Sequence, residues 1–217
     1  MDPKEAAPAM VSDDSTASPT VGPDGDVYIG VLESTPGSHN ARGWLLHFDA
    51  TLAQNKTPGS FGWDDTASIV PRSMVPSYTG NSTYLITTKY NNYGRVGSGD
   101  SMNRVAVLDP NAVQADFISG NPVMKEVLTI LGPTPDPDFP GGFIEWCINT
   151  AAVDPFTQSI LINSEDGYMY RWSLATNTLS ERIRLTSGLG ESYTPTAVGP
   201  DGKVYAINNG ILFALGQ

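Results

Sequence analysis

Acidic side chains recur at four comparable places along this chain of 217 residues. In each place an Asp or Glu precedes, by five to eight residues, a Val that opens a short apolar run. The four pairs are Asp14 with Val21, Asp65 with Val70, Glu145 with Val153, and Glu191 with Val198. This spacing predicts four repeats of one structural unit, with a carboxylate at a similar position in each repeat.

Carboxylates that converge in a folded protein repel one another, and a bound cation relieves that repulsion. Oxygen ligands from acidic and amide side chains suit hard cations such as Ca²⁺ or Mg²⁺. The pattern therefore predicts a divalent cation, with Ca²⁺ favoured, bound by Asp14, Asp65, Glu145 and Glu191. The alternative is that these residues only cap turns or solvate loops, as acidic residues before strands commonly do.

The elements that would position the acids are repeated strands. Nearly the same sequence motif occurs at residues 19–28 and 195–205, with Gly-Pro-Asp-Gly between two apolar runs. Pro presets φ and Gly supplies a positive φ, so the motif is typical of a tight turn between two strands. Weaker versions at 70–71 and 153–155 complete four units, which start near residues 18, 66, 148 and 193.

Further strand patterns follow within each unit. Second strands are predicted at 27–31, 84–88, 159–163 and 204–208, third strands at 44–49, 104–109, 168–174 and 211–215, and outer strands at 123–131 and 179–185. Units of about four antiparallel strands predict an all-β propeller with four recognisable blades, in one domain spanning 1–217. The first strands of a propeller line its central channel, so the four acids are expected to meet at one channel mouth.

The last blade lacks a predicted outer strand after 211–215, and three arrangements remain open. In the first, the N-terminal segment 1–12 supplies a closing strand through residues 9–11, and the ring has four blades. In the second, another copy of the chain completes a larger ring as a homodimer. In the third, the chain is a fragment of a larger propeller.

Two insertions, at 90–103 and 132–142, are predicted to be long surface loops over one face, because they are rich in Gly, Asn, Ser and Pro. Asp136 and Asp138 in the second loop either meet a cation or lie in a loop stiffened by proline. Several aromatic residues either edge a ligand groove or anchor these loops. They are Tyr90, Tyr93, Phe139, Phe143 and Trp146.

With Gly-Pro-Asp-Gly-x-Val-Tyr at both ends, the sequence resembles the pyrroloquinoline-quinone-type repeat β-propellers. The resemblance covers about half of the chain at the level of the motif, and it implies the fold. The resemblance does not extend to the quinone-binding site, because Cys147 is the only cysteine and no tryptophan ring matches the quinone pocket.

A cation in a propeller channel polarises an ester or phosphoryl oxygen and acidifies a bound water. By analogy with calcium-dependent propeller lactonases and phosphotriesterases, the expected function is divalent-metal-dependent hydrolysis of small esters, lactones or phosphotriesters. Glu145 and Glu191 are then ligands or a general base, and Asn149 orients the substrate. The alternative function is a non-catalytic binding or scaffold module that uses the long loops.

The net charge of the chain limits the classes of binding partner that are expected. Twelve basic against 23 acidic residues give a net charge of −11, which argues against nucleic acid and anionic membrane surfaces and favours small cationic or neutral ligands. The sequence shows neither an 18-residue apolar run nor a signal-peptide pattern. A soluble protein is expected, with a parent protein that is periplasmic or secreted.

Overall fold

The computed structural model describes most of the chain. The described residues are 11–13, 17–33, 42–52, 56–94, 99–190, 192 and 194–216. Within them the fold is all-β, with four antiparallel sheets and one short 3-10 helix at Arg72–Met74. None of their helices has the length and apolarity needed to cross a bilayer.

Sheet 1 contains the first four strands. They are β1 (Val11–Asp13), β2 (Thr20–Val21), β3 (Val27–Glu33) and β4 (Trp44–Phe48). β2 pairs with the beginning of β3, and β1 pairs with its end, where Val11 lies opposite Glu33. Val11 therefore pairs within sheet 1. Residues 9 and 10 lie outside the described part of the chain, so a closing strand through 9–11 stays a prediction.

The other sheets follow in chain order. Sheet 2 contains β5 (Ser68–Pro71), β6 (Tyr84–Tyr90), β7 (Arg104–Ala115) and β8 (Pro122–Leu131), and sheet 3 contains β9 (Ala152–Asp154), β10 (Ser159–Asn163), β11 (Tyr168–Ser173) and β12 (Thr178–Arg184). Sheet 4 contains β13 (Ala197–Val198), β14 (Val204–Asn208) and β15 (Ile211–Leu215). Within the described residues, every strand predicted from the sequence is present. Sheet 4 has three strands.

β7 is longer than predicted and runs on to Ala115. Its register with β8 shifts between Asp109 and Val113, which bends the end of this strand pair towards sheet 1. There the Met124 N–H donates to the Pro58 carbonyl at 2.9 Å, and Val123 packs on Trp44. The bulge thus lets sheet 2 cover the outer side of sheet 1.

The first strands of successive sheets lie beside one another. The Thr20 hydroxyl donates to the Ala67 carbonyl at 2.7 Å, and the Ser68 hydroxyl donates to the Ala151 carbonyl at 2.7 Å. The N–H of Thr196 continues the series to the Thr150 carbonyl at 2.9 Å. These bonds fix the order of the sheets as 1, 2, 3 and 4.

Apolar cores fill the spaces between neighbouring sheets. Tyr28 and Leu45 of sheet 1 pack against Ile86 of sheet 2. The largest core, between sheets 2 and 3, contains Trp146 and Trp172. The core between sheets 3 and 4 is small and consists of Ala152, Leu161, Met169, Val204 and Ala206. Burial therefore weakens towards the last sheet.

Candidate functional site

The structure describes three of the five residues that the sequence predicted for the site. Asp65, Asn149 and Glu145 are described, whereas Asp14 and Glu191 lie outside the described residues. Each of the three precedes the first strand of its sheet, as the repeat predicted.

Asp65 is fully buried at the entrance to sheet 2. Its carboxylate accepts hydrogen bonds from the Thr88 hydroxyl and from the Lys89 backbone N–H. Burial raises the pKa of Asp65 to about 7, although the nearby Lys89 charge acts in the opposite direction. The side chain is thus held within its own sheet by residues of β6.

Asn149 joins the connections that lead into sheets 2 and 3. Its carbonyl accepts the Thr66 N–H at 2.8 Å, and its side-chain oxygen accepts the Thr150 hydroxyl at 3.0 Å. The residue is buried. These contacts support a structural role for Asn149 between neighbouring sheets.

Glu145 lies beside the end of β6. Its Oε2 is 3.5 Å from Nδ2 of Asn91. The same Nδ2 donates to the Trp146 carbonyl at 3.2 Å, and Oδ1 of Asn91 accepts the Trp146 N–H at 3.1 Å. Burial raises the pKa of the neighbouring Tyr93 well above its usual value, and the charge of Glu145 acts in the same direction. Of the two described acids of the predicted four-acid site, Glu145 lines a cavity, together with Asp136 and Asp138 of the second insertion.

Within the described part of the chain, no three acidic, His or Cys side chains lie close enough to hold a metal ion together. The segments that lead into the first strands differ in length. Asp65 is five residues before Val70, whereas Glu145 is eight residues before Val153, so the two acids stand at different distances from their strands. The four-acid cation site stays a prediction that depends on residues outside the described ranges.

The cavity beside Glu145 measures about 230 Å³. Four acidic residues line it, namely Asp136, Asp138, Glu145 and Glu165. Two aromatic side chains, Tyr93 and Phe139, line it as well. We call this cavity the loop pocket, because most of its wall comes from the two insertions of the sequence.

The two insertions are hydrogen-bonded to each other through the Gly132 N–H, which donates to the Asn103 carbonyl at 2.9 Å. The buried Asn103 side chain accepts the Asn92 N–H at 2.9 Å and donates to the Phe143 carbonyl at 2.9 Å. The Phe143 N–H donates to the Ser101 carbonyl at 3.0 Å. The first insertion therefore supports the second, and together they form one wall.

Sheet 3 supplies the opposite wall through the turn between β10 and β11. Asp166 in this turn accepts the Tyr170 hydroxyl and the Thr134 hydroxyl, both at 2.5 Å. The second bond ties the 132–142 insertion to sheet 3. Glu165, the preceding residue, is the pocket acid that the repeat did not predict, because it stands in a turn and precedes no Val anchor.

A larger depression of about 580 Å³ lies along β7 and β8, with Tyr78, Ser82 and Asp109 in its wall. The carboxylate of Asp109 is buried and accepts three hydrogen bonds, from the Tyr78 hydroxyl at 2.6 Å, the Ser82 hydroxyl at 2.5 Å and the Asn111 N–H at 2.9 Å. Its polar groups bond to one another, so we regard it as structural. The loop pocket is the better candidate for a ligand.

No protein-family model matches this sequence, and no curated protein matches it significantly. Function therefore has to be inferred from the loop pocket itself.

Proposed function

We propose that the four sheets are blades of a β-propeller and that the protein is a non-catalytic binding module for a small organic cation. The hydrogen bonds between successive first strands support the propeller, because inner strands of neighbouring blades lie beside one another in that fold. The resemblance to quinoprotein-type repeats points in the same direction.

The observation that carries the ligand class is the lining of the loop pocket, which includes four acidic and two aromatic residues. Carboxylates attract a cation and accept its hydrogen bonds, and an aromatic face adds a cation–π attraction. A net charge of −11 raises the local concentration of cations further. The cavity of about 230 Å³ suits a small amine better than a drug-sized molecule, which occupies about 300 Å³ or more.

Binding fits the described residues better than hydrolysis does. Metal-assisted hydrolysis needs several ligands around one ion, and no described trio of potential ligands is assembled. Among the described residues, no histidine lines the pocket, because His47 is buried on β4, stacked on Tyr28 and bonded to Asp26 at 2.9 Å. The calcium-dependent hydrolase remains the rival prediction.

Calorimetric titration tests the proposal with three probes, namely agmatine, choline and putrescine, and with acetate and glucose as probes of other charge. We expect one site with a Kd below about 1 mM for at least one cation and no binding of acetate. Glu165→Gln and Asp136→Asn should each weaken binding about tenfold or more, whereas Glu181→Gln should not. Glu181, on β12, is a matched control, because it forms an exposed ion pair with Arg171 of β11 and does not line the pocket.

A parallel assay separates the two functions. The protein is incubated with chromogenic esters and a phosphotriester, with added Ca²⁺ and again after chelation. Calcium-dependent turnover that Glu145→Gln abolishes supports the hydrolase and overturns the binding module. Failure of every cation to bind overturns the proposed ligand class.

A further inference from the structure

Sheet 4 ends in an unusually apolar strand. β15 reads Ile-Leu-Phe-Ala-Leu and contains no charged or polar residue. Ile211 is 53% exposed and Leu212 is 64% exposed. One edge of β15 pairs with β14, and no strand in the described part of the chain pairs with its other edge.

Sheets 2 and 3 fill the equivalent place with a fourth strand, β8 or β12. In sheet 4 this place borders a groove of about 420 Å³, which has Met169 and Ile183 on one side and Leu215 on the other. Ile183 is 45% exposed there. An open edge presents a row of unpaired backbone groups, which makes it a template for another strand.

The outer strands β8 and β12 contain charged residues that disfavour pairing with another chain, whereas β15 contains none. β12 contains Glu181, Arg182 and Arg184, and β8 contains Lys125 and Glu126. Charged residues on an edge strand disfavour pairing with another chain. The edge of β4 is occupied within the same chain, because Leu45 and Gly59 exchange backbone hydrogen bonds of 3.1 and 2.8 Å. β15 is thus the exposed outer edge without such a device in the described residues.

We propose that β15 pairs antiparallel with β15 of a second copy, about a two-fold axis that passes through Phe213. In this register Ile211 lies opposite the partner's Leu215, and Leu212 lies opposite the partner's Ala214. Every opposing pair is apolar, so the strand is complementary to itself, as an isologous two-fold interface requires. The partner's β15 then takes the place of the missing fourth strand and lies along the groove between β12 and β15.

A second copy is the occupant that these observations favour. The strand has five residues, with Phe213 at its centre, so a two-fold axis through that residue leaves no position unmatched. Pairing adds backbone hydrogen bonds to the free edge and buries Leu212 of both copies. The resulting sheet has six strands, three from each copy.

Light scattering coupled to gel filtration tests this interface at protein concentrations of about 5 and about 100 µM, because association follows mass action. We expect the unmodified protein to be a dimer at the higher concentration. The double variant Leu212→Lys/Ala214→Lys places like charges opposite each other and should be a monomer. The double variant Leu212→Lys/Ala214→Glu places opposite charges across the same pairs and should remain a dimer.

Phe156→Lys is the matched control, because Phe156 is 99% exposed in a turn of sheet 3 and its replacement makes a similar change outside the strand. It should remain a dimer. A monomeric unmodified protein at 100 µM, or a dimer that survives paired lysines, overturns the interface. Hydrogen exchange gives a second measurement, in which amides of 211–215 should gain protection with rising concentration, and protection independent of concentration also overturns it.

Discussion

The hydroxyl groups of Tyr28 and Tyr84 lie 2.6 Å apart, and Tyr84 in turn donates to Asp24 Oδ1 at 2.8 Å. This chain of bonds fastens the Gly-Pro-Asp-Gly turn of sheet 1 to the beginning of β6. Gly22 is required for the approach, because a Cβ there would lie 2.6 Å from the Tyr84 hydroxyl. In the matching turn of sheet 4 the Tyr205 hydroxyl donates to its own turn residue Asp201 at 3.0 Å.

The two tyrosine hydroxyls that bond the Asp residues of these turns, from Tyr84 and Tyr205, should therefore contribute differently to stability. Tyr84→Phe removes both bonds and leaves the buried Tyr28 hydroxyl without its partner, so we expect a loss of about 1–3 kcal/mol in the free energy of unfolding. Tyr205→Phe, at an exposed turn, should change it by less than about 0.5 kcal/mol. Urea titration of both variants measures this difference, and equal losses would contradict the proposed contribution of the Tyr84 contacts.

Asp65 should make stability depend on pH. Burial raises the pKa of its carboxyl from 3.8 to about 7 in the folded protein. Between these values the folded state holds a proton that the unfolded chain has released, so the contribution of Asp65 to stability falls as the pH rises from about 4 to about 7. Relative to the unmodified protein, the free energy of unfolding of Asp65→Asn should rise by on the order of 4 kcal/mol as the pH increases across this window.

Asp154 supplies a control of opposite sign. Burial would raise the pKa of Asp154, but hydrogen bonds from Thr157 and Phe156 together with the Arg171 charge outweigh burial and lower it. Asp154→Asn should therefore lose stability relative to the unmodified protein as the pH rises through about 4. Urea midpoints measured from about pH 2 to about pH 8 test both variants, because the Asp154 window lies below about pH 4 and the Asp65 window above it. A constant difference between Asp65→Asn and the unmodified protein would refute the raised pKa.

The sequence predicts the strands well because the signals for them are local. Gly-Pro-Asp-Gly defines its own turn, and apolar runs beside it define the strands that follow. Where acids meet is a different question, since it depends on contacts between distant segments. Asp65 is held by Thr88 and Lys89, more than 20 residues away, and no spacing between Asp65 and Val70 indicates those partners.

The loop pocket shows the same limit. Composition identified the two insertions, and Glu145, Tyr93 and Phe139 were named as candidates for one face. The bond from Asn103 to the Phe143 carbonyl spans 40 residues, and it brings the first insertion to the end of the second. Glu165 stands beside Asp166, which receives the Thr134 hydroxyl, and its carbonyl accepts the Gly190 N–H at 2.8 Å. These contacts are tertiary, so a repeat pattern does not reveal them.

Asn103 should control the order of the pocket wall. Asn103→Ala removes a bond within the first insertion and the bond to Phe143, the residue that follows the second insertion, and it leaves the Asn92 N–H without its acceptor. We therefore expect a loss of about 1–3 kcal/mol in the free energy of unfolding. Limited proteolysis should then cut within 90–103 or 132–142 faster than in the unmodified protein. Asn111→Ala, at an exposed site on β7, is the control. An unchanged cleavage pattern in Asn103→Ala would show that other contacts hold the wall.

Gly94 offers the sharpest link between the pocket wall and ligand binding. A Cβ at this position would lie 2.1 Å from Ser101 Oγ and 2.6 Å from Phe139 Cδ1, so Gly94→Ala must displace the aromatic ring that lines the cavity. We expect the affinity for the bound amine to fall about tenfold or more.

Gly120 provides the comparison. It has a φ of +72°, and a Cβ there meets nothing within 4 Å. Gly120→Ala should therefore cost about 1 kcal/mol of stability through backbone strain, with the affinity unchanged. Calorimetric titration and urea unfolding of both variants separate the two effects. If Gly94→Ala binds the amine as tightly as the unmodified protein does, the ligand lies elsewhere, because the ring cannot keep its place beside the added methyl group.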